Sequence, residues 1–141
     1  MKYVIDSSVQ IKTFVTEADS AKAIRLCDEY RAGIHELLAP DLFPIEVANV
    51  LMILERAGKI QPGNANQLFS LFLVDIPPLH PAISLLPRAI EIAAKFRQSV
   101  YDSLYSALAE REGCEHVTAD DKFLKAVQSS LPFVISLSIL P

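Results

Sequence analysis

The chain has 141 residues, 51% of them apolar and 21% charged, enough for one domain with a sizeable core and too apolar for a long disordered tail. The net charge of −4 argues against a broad basic face for nucleic acid. It leaves room for an enzyme whose bound cations supply positive charge locally. No apolar run reaches the ~18 residues of a membrane span, and the N-terminus enters a strand directly, without a signal-peptide pattern. A soluble, cytoplasmic, single-domain protein spanning residues 1–141 is expected. Cys27 and Cys114 form no C-x-x-C and have no zinc-like spacing with His35, His80 or His116. Buried thiols in a reducing compartment are the expectation.

Tyr3-Val4-Ile5 reads as a short buried strand. Asp6 follows at once, then Ser7 and Ser8, which suit a helix start; a short helix is expected over Val9–Val15. Ser20–Arg31 carries Ile24, Cys27 and Tyr30 at spacing three, an amphipathic helix ending at Gly33. Leu37–Pro40 is a second strand. Of the thirteen residues Leu42–Leu54, only Pro44, Glu46 and Asn49 are not apolar. A buried helix starting near Pro44 and stopping at Gly58 follows. Gln61–Phe72 is a further helix, and Leu73-Val74-Asp75-Ile76 a third strand closed by Pro77-Pro78. Leu86–Arg97 and Tyr101–Glu112 are helices, the second ending at Gly113. Cys114–Thr118 is a strand, Asp121–Ser129 a helix and Phe133–Leu137 a last strand. Alternating strands and helices point to one parallel sheet of about five strands with helices on both faces, a three-layer α/β/α domain.

Four acids stand out, and each has two readings. Asp6 is at the carboxyl end of the first strand, where ligands bind in open α/β sheets; it also suits a helix cap. Glu46 lies on the most apolar helix with no Lys or Arg in its segment to pair it. A buried carboxylate without a partner takes up a proton or costs several kcal/mol, yet the first turn of a helix favours an anion. Asp102 closes the capping-box pattern Ser99-x-x-Asp102. Thr118 and Asp121 form a second such pattern, which leaves Asp120 over. Taken together, the acids fall at two strand ends and two helix entrances, which a doubly wound sheet can gather at one edge. Carboxylates crowded there repel unless protons or cations intervene. An oxygen-only donor set points to Mg²⁺ or Mn²⁺ rather than zinc.

These residues resemble the PIN domain, in particular the VapC-type ribonuclease toxins of prokaryotic toxin–antitoxin pairs. The resemblance runs through Tyr3-Val4-Ile5-Asp6-Ser7-Ser8, Ala39-Pro40, Glu46-Val47-Ala48-Asn49, Tyr101-Asp102-Ser103-Leu104-Tyr105-Ser106-Ala107-Leu108-Ala109-Glu110 and Thr118-Ala119-Asp120. It implies a PIN-like fold and a metal-dependent endoribonuclease. The metal-site and catalytic carboxylates would be Asp6, Glu46, Asp102 and Asp120, with Ser7 in support and Asp121 an optional fifth acid. It further implies Mg²⁺ or Mn²⁺ as cofactor, RNA as substrate, a cognate antitoxin as partner, and a homodimer. Lys12, Arg97, Lys122 and Lys125 are candidates for gripping RNA around the rim.

Two rival readings remain. A phospho-receiver-like module also uses acids around Mg²⁺, and Asp75 before Pro77 resembles a phosphoacceptor. Against it, no second acid follows Asp6 and no Lys lies after Lys125. A non-catalytic interaction domain is motivated by the apolar excess at Ile45, Val50, Ile53, Leu54, Leu68, Leu71 and Phe72, which a dimer or antitoxin surface on an enzyme accounts for equally.

Overall fold

The computed structural model describes residues 1–141 as five parallel strands with helices on both faces. The elements in chain order are β1 (Lys2–Ile5), α1 (Ser7–Ile11), α2 (Ser20–Arg31), β2 (Glu36–Pro40), α3 (Phe43–Arg56), α4 (Asn64–Val74), β3 (Leu79–His80), α5 (Leu86–Phe96), α6 (Val100–Glu112), β4 (Glu115–Thr118), α7 (Asp121–Val127) and β5 (Val134–Ser136). The strand order is β3-β2-β1-β4-β5, and every pairing is parallel. The three-layer α/β/α expectation therefore holds. Tyr3, Val4 and Ile5 are buried, as a central strand covered on both faces requires.

The chain leaves β1 for β2 on one side and later returns to place β4 on the other. The order thus reverses between β1 and β4, with Ile5 beside Val117 in register. The carboxyl edge of that pair is the switch point where doubly wound sheets form their crevice.

Three expectations need correcting. Leu73 and Val74 are not a strand but the last turn of α4. No breaker precedes Pro77, so the helix runs on to Asp75, and the strand falls beyond the two prolines. It survives as two residues on the sheet edge, beside Ala39 and Pro40. The first helix begins at Ser7 rather than Val9, because the Asp6 side chain already accepts the Ser8 N–H at 3.0 Å. Finally, α3 is not buried all round. Phe43, Val47, Leu51 and Leu54 face the core, whereas Ile45 is 66% and Ile53 53% exposed.

The largest buried side chains cluster under α3 and α6. Phe43 meets Phe72 edge-to-face at 5.4 Å and Tyr105 at 6.4 Å between ring centroids. Each such ring is worth a few kcal/mol of burial, plus about 0.5–1.5 for the aromatic geometry. This packing fixes the distance between α3 and α6, which matters because each carries one of the four acids. Gly113 ends α6 in the left-handed region at φ 64°, which suits glycine. No helix is long and apolar enough to cross a membrane. Both cysteines are free, and burial pushes the Cys27 thiol up to about 11, so it stays protonated.

Candidate active site

The four acids all stand at helix entrances. Asp6 is the N-cap of α1 and Asp120 the N-cap of α7; Glu46 and Asp102 lie in the first turns of α3 and α6. Capping and clustering are thus not alternatives. The positive ends of helix dipoles are what make so many carboxylates tolerable in one place.

Asp6 is buried at 8% exposure and held on both oxygens. Its Oδ1 accepts from the Ser8 N–H and the Ser8 hydroxyl, and its Oδ2 lies 2.8 Å from His116 Nε2. Burial pushes its carboxyl up, but the donors on His116, Ser8 and Thr118 more than offset this and hold it below the ordinary range. Ser8 ties the neighbouring strand end to Asp6: its Oγ lies 3.2 Å from Thr118 Oγ1 and accepts the Ala119 N–H at 2.8 Å. Thr118 Oγ1 in turn accepts the Asp120 N–H at 3.1 Å.

Glu46 is half-buried and not partnerless. The Tyr105 hydroxyl donates to its Oε1 at 2.6 Å. Burial pushes the Glu46 carboxyl up, the Tyr105 bond pulls it back, and the charges of Asp102 and Asp6 push it further up. Asp102 is raised in the same way, by burial first, against its bond with Ser99, and then by Asp6 and Asp120. Glu46 and Asp102 each feel Asp6, Glu46 feels Asp102, and Asp102 feels Asp120. The structure brings the four together into one electrostatic cluster.

In their present rotamers no three acidic, histidine or cysteine side chains close around an ion. The donor set nevertheless fits a hard cation. Glu46 Oε2 and Asp120 Oδ2 accept no hydrogen bond from the protein, and Asp102 has only Ser99 as a partner. Carboxylate oxygens with open lone pairs, flanked by like charge, are what Mg²⁺ or Mn²⁺ takes, through waters where the oxygens do not reach.

Several expected participants are placed elsewhere. The Ser7 hydroxyl makes no hydrogen bond; Ser8, one residue on, carries the connection to Asp6 and β4. The cap of α7 is Asp120, which accepts the Phe123 N–H at 3.0 Å, rather than Thr118. Asp121 is exposed in that helix's first turn. Lys12 is tied to Glu17 at 3.4 Å and to the Ala18 carbonyl at 2.8 Å, so it is not a free rim cation. Arg97, Lys122 and Lys125 are exposed. Asp75 ends the helix α4 rather than a strand and is held in an ion pair with Arg31 at 2.8 Å, which removes the phosphoacceptor of the receiver-like reading.

Sequence reasoning missed Tyr105 and His116. Tyr105 sits three residues after Asp102 on the same helix face, which is a legible spacing. His116 gave no signal, since its bond to Asp6 spans 110 positions.

The PIN domain family pattern matches residues 3–128. Ribonuclease VapC3 of Pyrobaculum aerophilum is 32% identical over 122 residues, covering 85% of this chain and 90% of the relative. Ribonuclease VapC9 of Mycobacterium tuberculosis is 24% identical, covering 94% and 96%. Among solved structures, PAE2754 from Pyrobaculum aerophilum superposes with a TM-score of 0.69 at 20% identity, covering 98% of this chain and 93% of that one. A toxin–antitoxin complex from Klebsiella pneumoniae superposes at 0.63 with 12% identity, covering 96% and 97%. With the pattern spanning nearly the whole chain and the acids gathered at the switch point, the chain belongs to the PIN domain family.

Proposed function

We propose that the chain is a divalent-metal-dependent endoribonuclease, a single nuclease domain over residues 1–141 that acts as the toxin of a VapBC-type pair. The observation that carries this reading is the meeting of Asp6, Glu46, Asp102 and Asp120 at the β1/β4 switch point, with like charge raising Glu46 and Asp102. Relatives named as VapC ribonucleases support the activity and substrate class. Neighbours solved as toxin–antitoxin complexes support a protein partner that silences the enzyme. Retention of all four acids speaks against a non-catalytic module.

Glu46, Asp102 and Asp120 would hold Mg²⁺ or Mn²⁺, with Asp6 as the fixed anchor. An ion held by these carboxylates would supply Lewis acidity, acidifying a bound water and offsetting negative charge on the scissile phosphate. The chain's own residues shape the rest. Ser8 and His116 hold the Asp6 carboxylate, Tyr105 holds Glu46, and the helix entrances offset the carboxylates' repulsion. Arg97, Lys122 and Lys125 are the basic side chains available to draw an RNA backbone toward an otherwise acidic opening. Exposed Ile45, Ile53, Leu71 and Val74 supply apolar area for a second copy or the antitoxin. Action in the cytoplasm follows from the substrate.

The test is cleavage of a pool of tRNA, rRNA and mRNA by nuclease-free preparations. Cleavage should need Mg²⁺ or Mn²⁺, stop on EDTA, and vanish in Asp102→Asn. Cleavage indifferent to EDTA, or undiminished in that variant, rejects the reading.

A further inference from the structure

The sheet interior holds a buried polar chain that the four acids do not explain. His116 on β4 is 0% exposed, as is Ser106 on α6. Ser106 Oγ lies 2.9 Å from His116 Nδ1, and His116 Nε2 lies 2.8 Å from Asp6 Oδ2. A histidine on a central strand between Tyr105 and Phe123, at ring centroids 5.9 Å from each, occupies a position where an apolar residue would pack more cheaply.

The bonding order along this chain is fixed by elimination. Ser106 Oγ has no partner other than His116, so its hydrogen must point at Nδ1 or be left unbonded in the interior. Nδ1 is then an acceptor, and the ring proton resides on Nε2. That N–H faces Asp6, whose carboxylate has only acceptors to offer. All the bonds run one way, hydroxyl to imidazole to carboxylate, and each polarises the next. The far end of the chain is an oxygen of the buried anchor of the acid cluster; the opposite oxygen is fixed independently by Ser8.

We propose that His116, oriented by Ser106, is a positioning residue that locks the Asp6 carboxylate in the attitude needed to bind the divalent cation. The inference rests on the metal-site reading of the four acids. Its precedent is general: groups that hydrogen-bond a ligating carboxylate from behind set its orientation, and their loss weakens metal binding about 10–100-fold. Gln at position 116 can still present an N–H to Asp6, whereas Leu fills similar space without one.

The test is calorimetric titration of the full chain with Mn²⁺, alongside ¹⁵N NMR of the imidazole and a thermal melt without metal. His116→Leu should bind Mn²⁺ about 10–100-fold more weakly. His116→Gln should recover most of that loss, although its packing is no closer to the original. The wild-type imidazole should show a proton on Nε2 and an acceptor Nδ1, and Ser106→Ala should disturb that signature without removing any contact to Asp6. His116→Leu binding Mn²⁺ like the wild type, or losses in Leu and Gln that follow their melting temperatures rather than their donors, would overturn the proposal. So would a proton found on Nδ1. The NMR signature is independent of any metal, so it stands or falls on the hydrogen-bond chain alone. Failure of the wild type itself to bind Mn²⁺ would overturn the metal-site reading and this inference with it.

Discussion

Replacing Tyr105 by Phe isolates one hydrogen bond of the cluster. The hydroxyl donates to Glu46 Oε1 at 2.6 Å from a ring that is 1% exposed, so the change leaves packing almost intact. A bond to a charged group is worth about 1.5–3 kcal/mol. Glu46 is only half-buried, and water can replace part of what it loses, so a loss of about 1–2 kcal/mol at pH 7 is expected. For a domain of this size that is a fall of roughly 3–8 °C in Tm. The pH dependence has a definite sign. The folded-state pKa of Glu46 lies above its unfolded value, and the Tyr105 bond is one of the influences holding it down. Without that bond it rises further. The extra destabilisation is therefore complete above the variant's higher folded pKa and fades as pH falls through the wild type's, below which Glu46 is protonated in both folded proteins. A double-mutant cycle with Glu46→Ala, followed by urea unfolding at pH 7 and pH 4, measures the coupling directly. About 1–2 kcal/mol at pH 7, and well under half of that at pH 4, is expected. Additive single-mutant effects at pH 7 would refute the idea that Tyr105 holds Glu46.

Asp102→Asn and Asp6→Asn should have opposite effects on the metal-free protein. Asp102 is raised in the folded state, so its charge disfavours folding above its folded pKa; Asn should stabilise at neutral pH, with the benefit gone below ~4. Asp6 is held low, so its anion favours folding above the unfolded pKa of ~3.9 and loses that contribution only as pH falls through the lower folded value. Its replacement should destabilise at neutral pH and matter less in acid. Both variants should lose most of the Tm increment that Mn²⁺ gives the wild type, and thermal melts that move the two in the same direction without metal would contradict the assigned environments. On the apolar face, Leu71 is 68% and Val74 75% exposed; under the proposal that a second copy covers this face, Leu71→Glu with Val74→Glu should leave the monomer's stability within about 1 kcal/mol while abolishing self-association. Light scattering that shows the same mass for the wild type and the double variant would refute that use of the face.

Much of the molecule is set by short-range pattern. The apolar triplet Tyr3-Val4-Ile5, the period of Ser20–Arg31 and the glycine after Glu112 each fix an element through contacts within a few residues, and those elements stand where expected. Each acid's place at a strand end or helix entrance was legible for the same reason. The third strand was not: Leu73 and Val74 suit helix and strand alike, and pairing with Ala39 and Pro40 from some forty positions away decided where the edge strand lies. Nor did the sequence tell a cap from a cluster member, because a carboxylate at a helix entrance looks the same in both roles. Only the tertiary fold, in which the β1/β4 pairing sets His116 against Asp6 across 110 positions and the packing of α3 on α6 sets Tyr105 against Glu46 across 59, made the same residues both at once. Local propensity acts along the chain, whereas a buried charge is stabilised by whichever donors the fold carries to it from elsewhere.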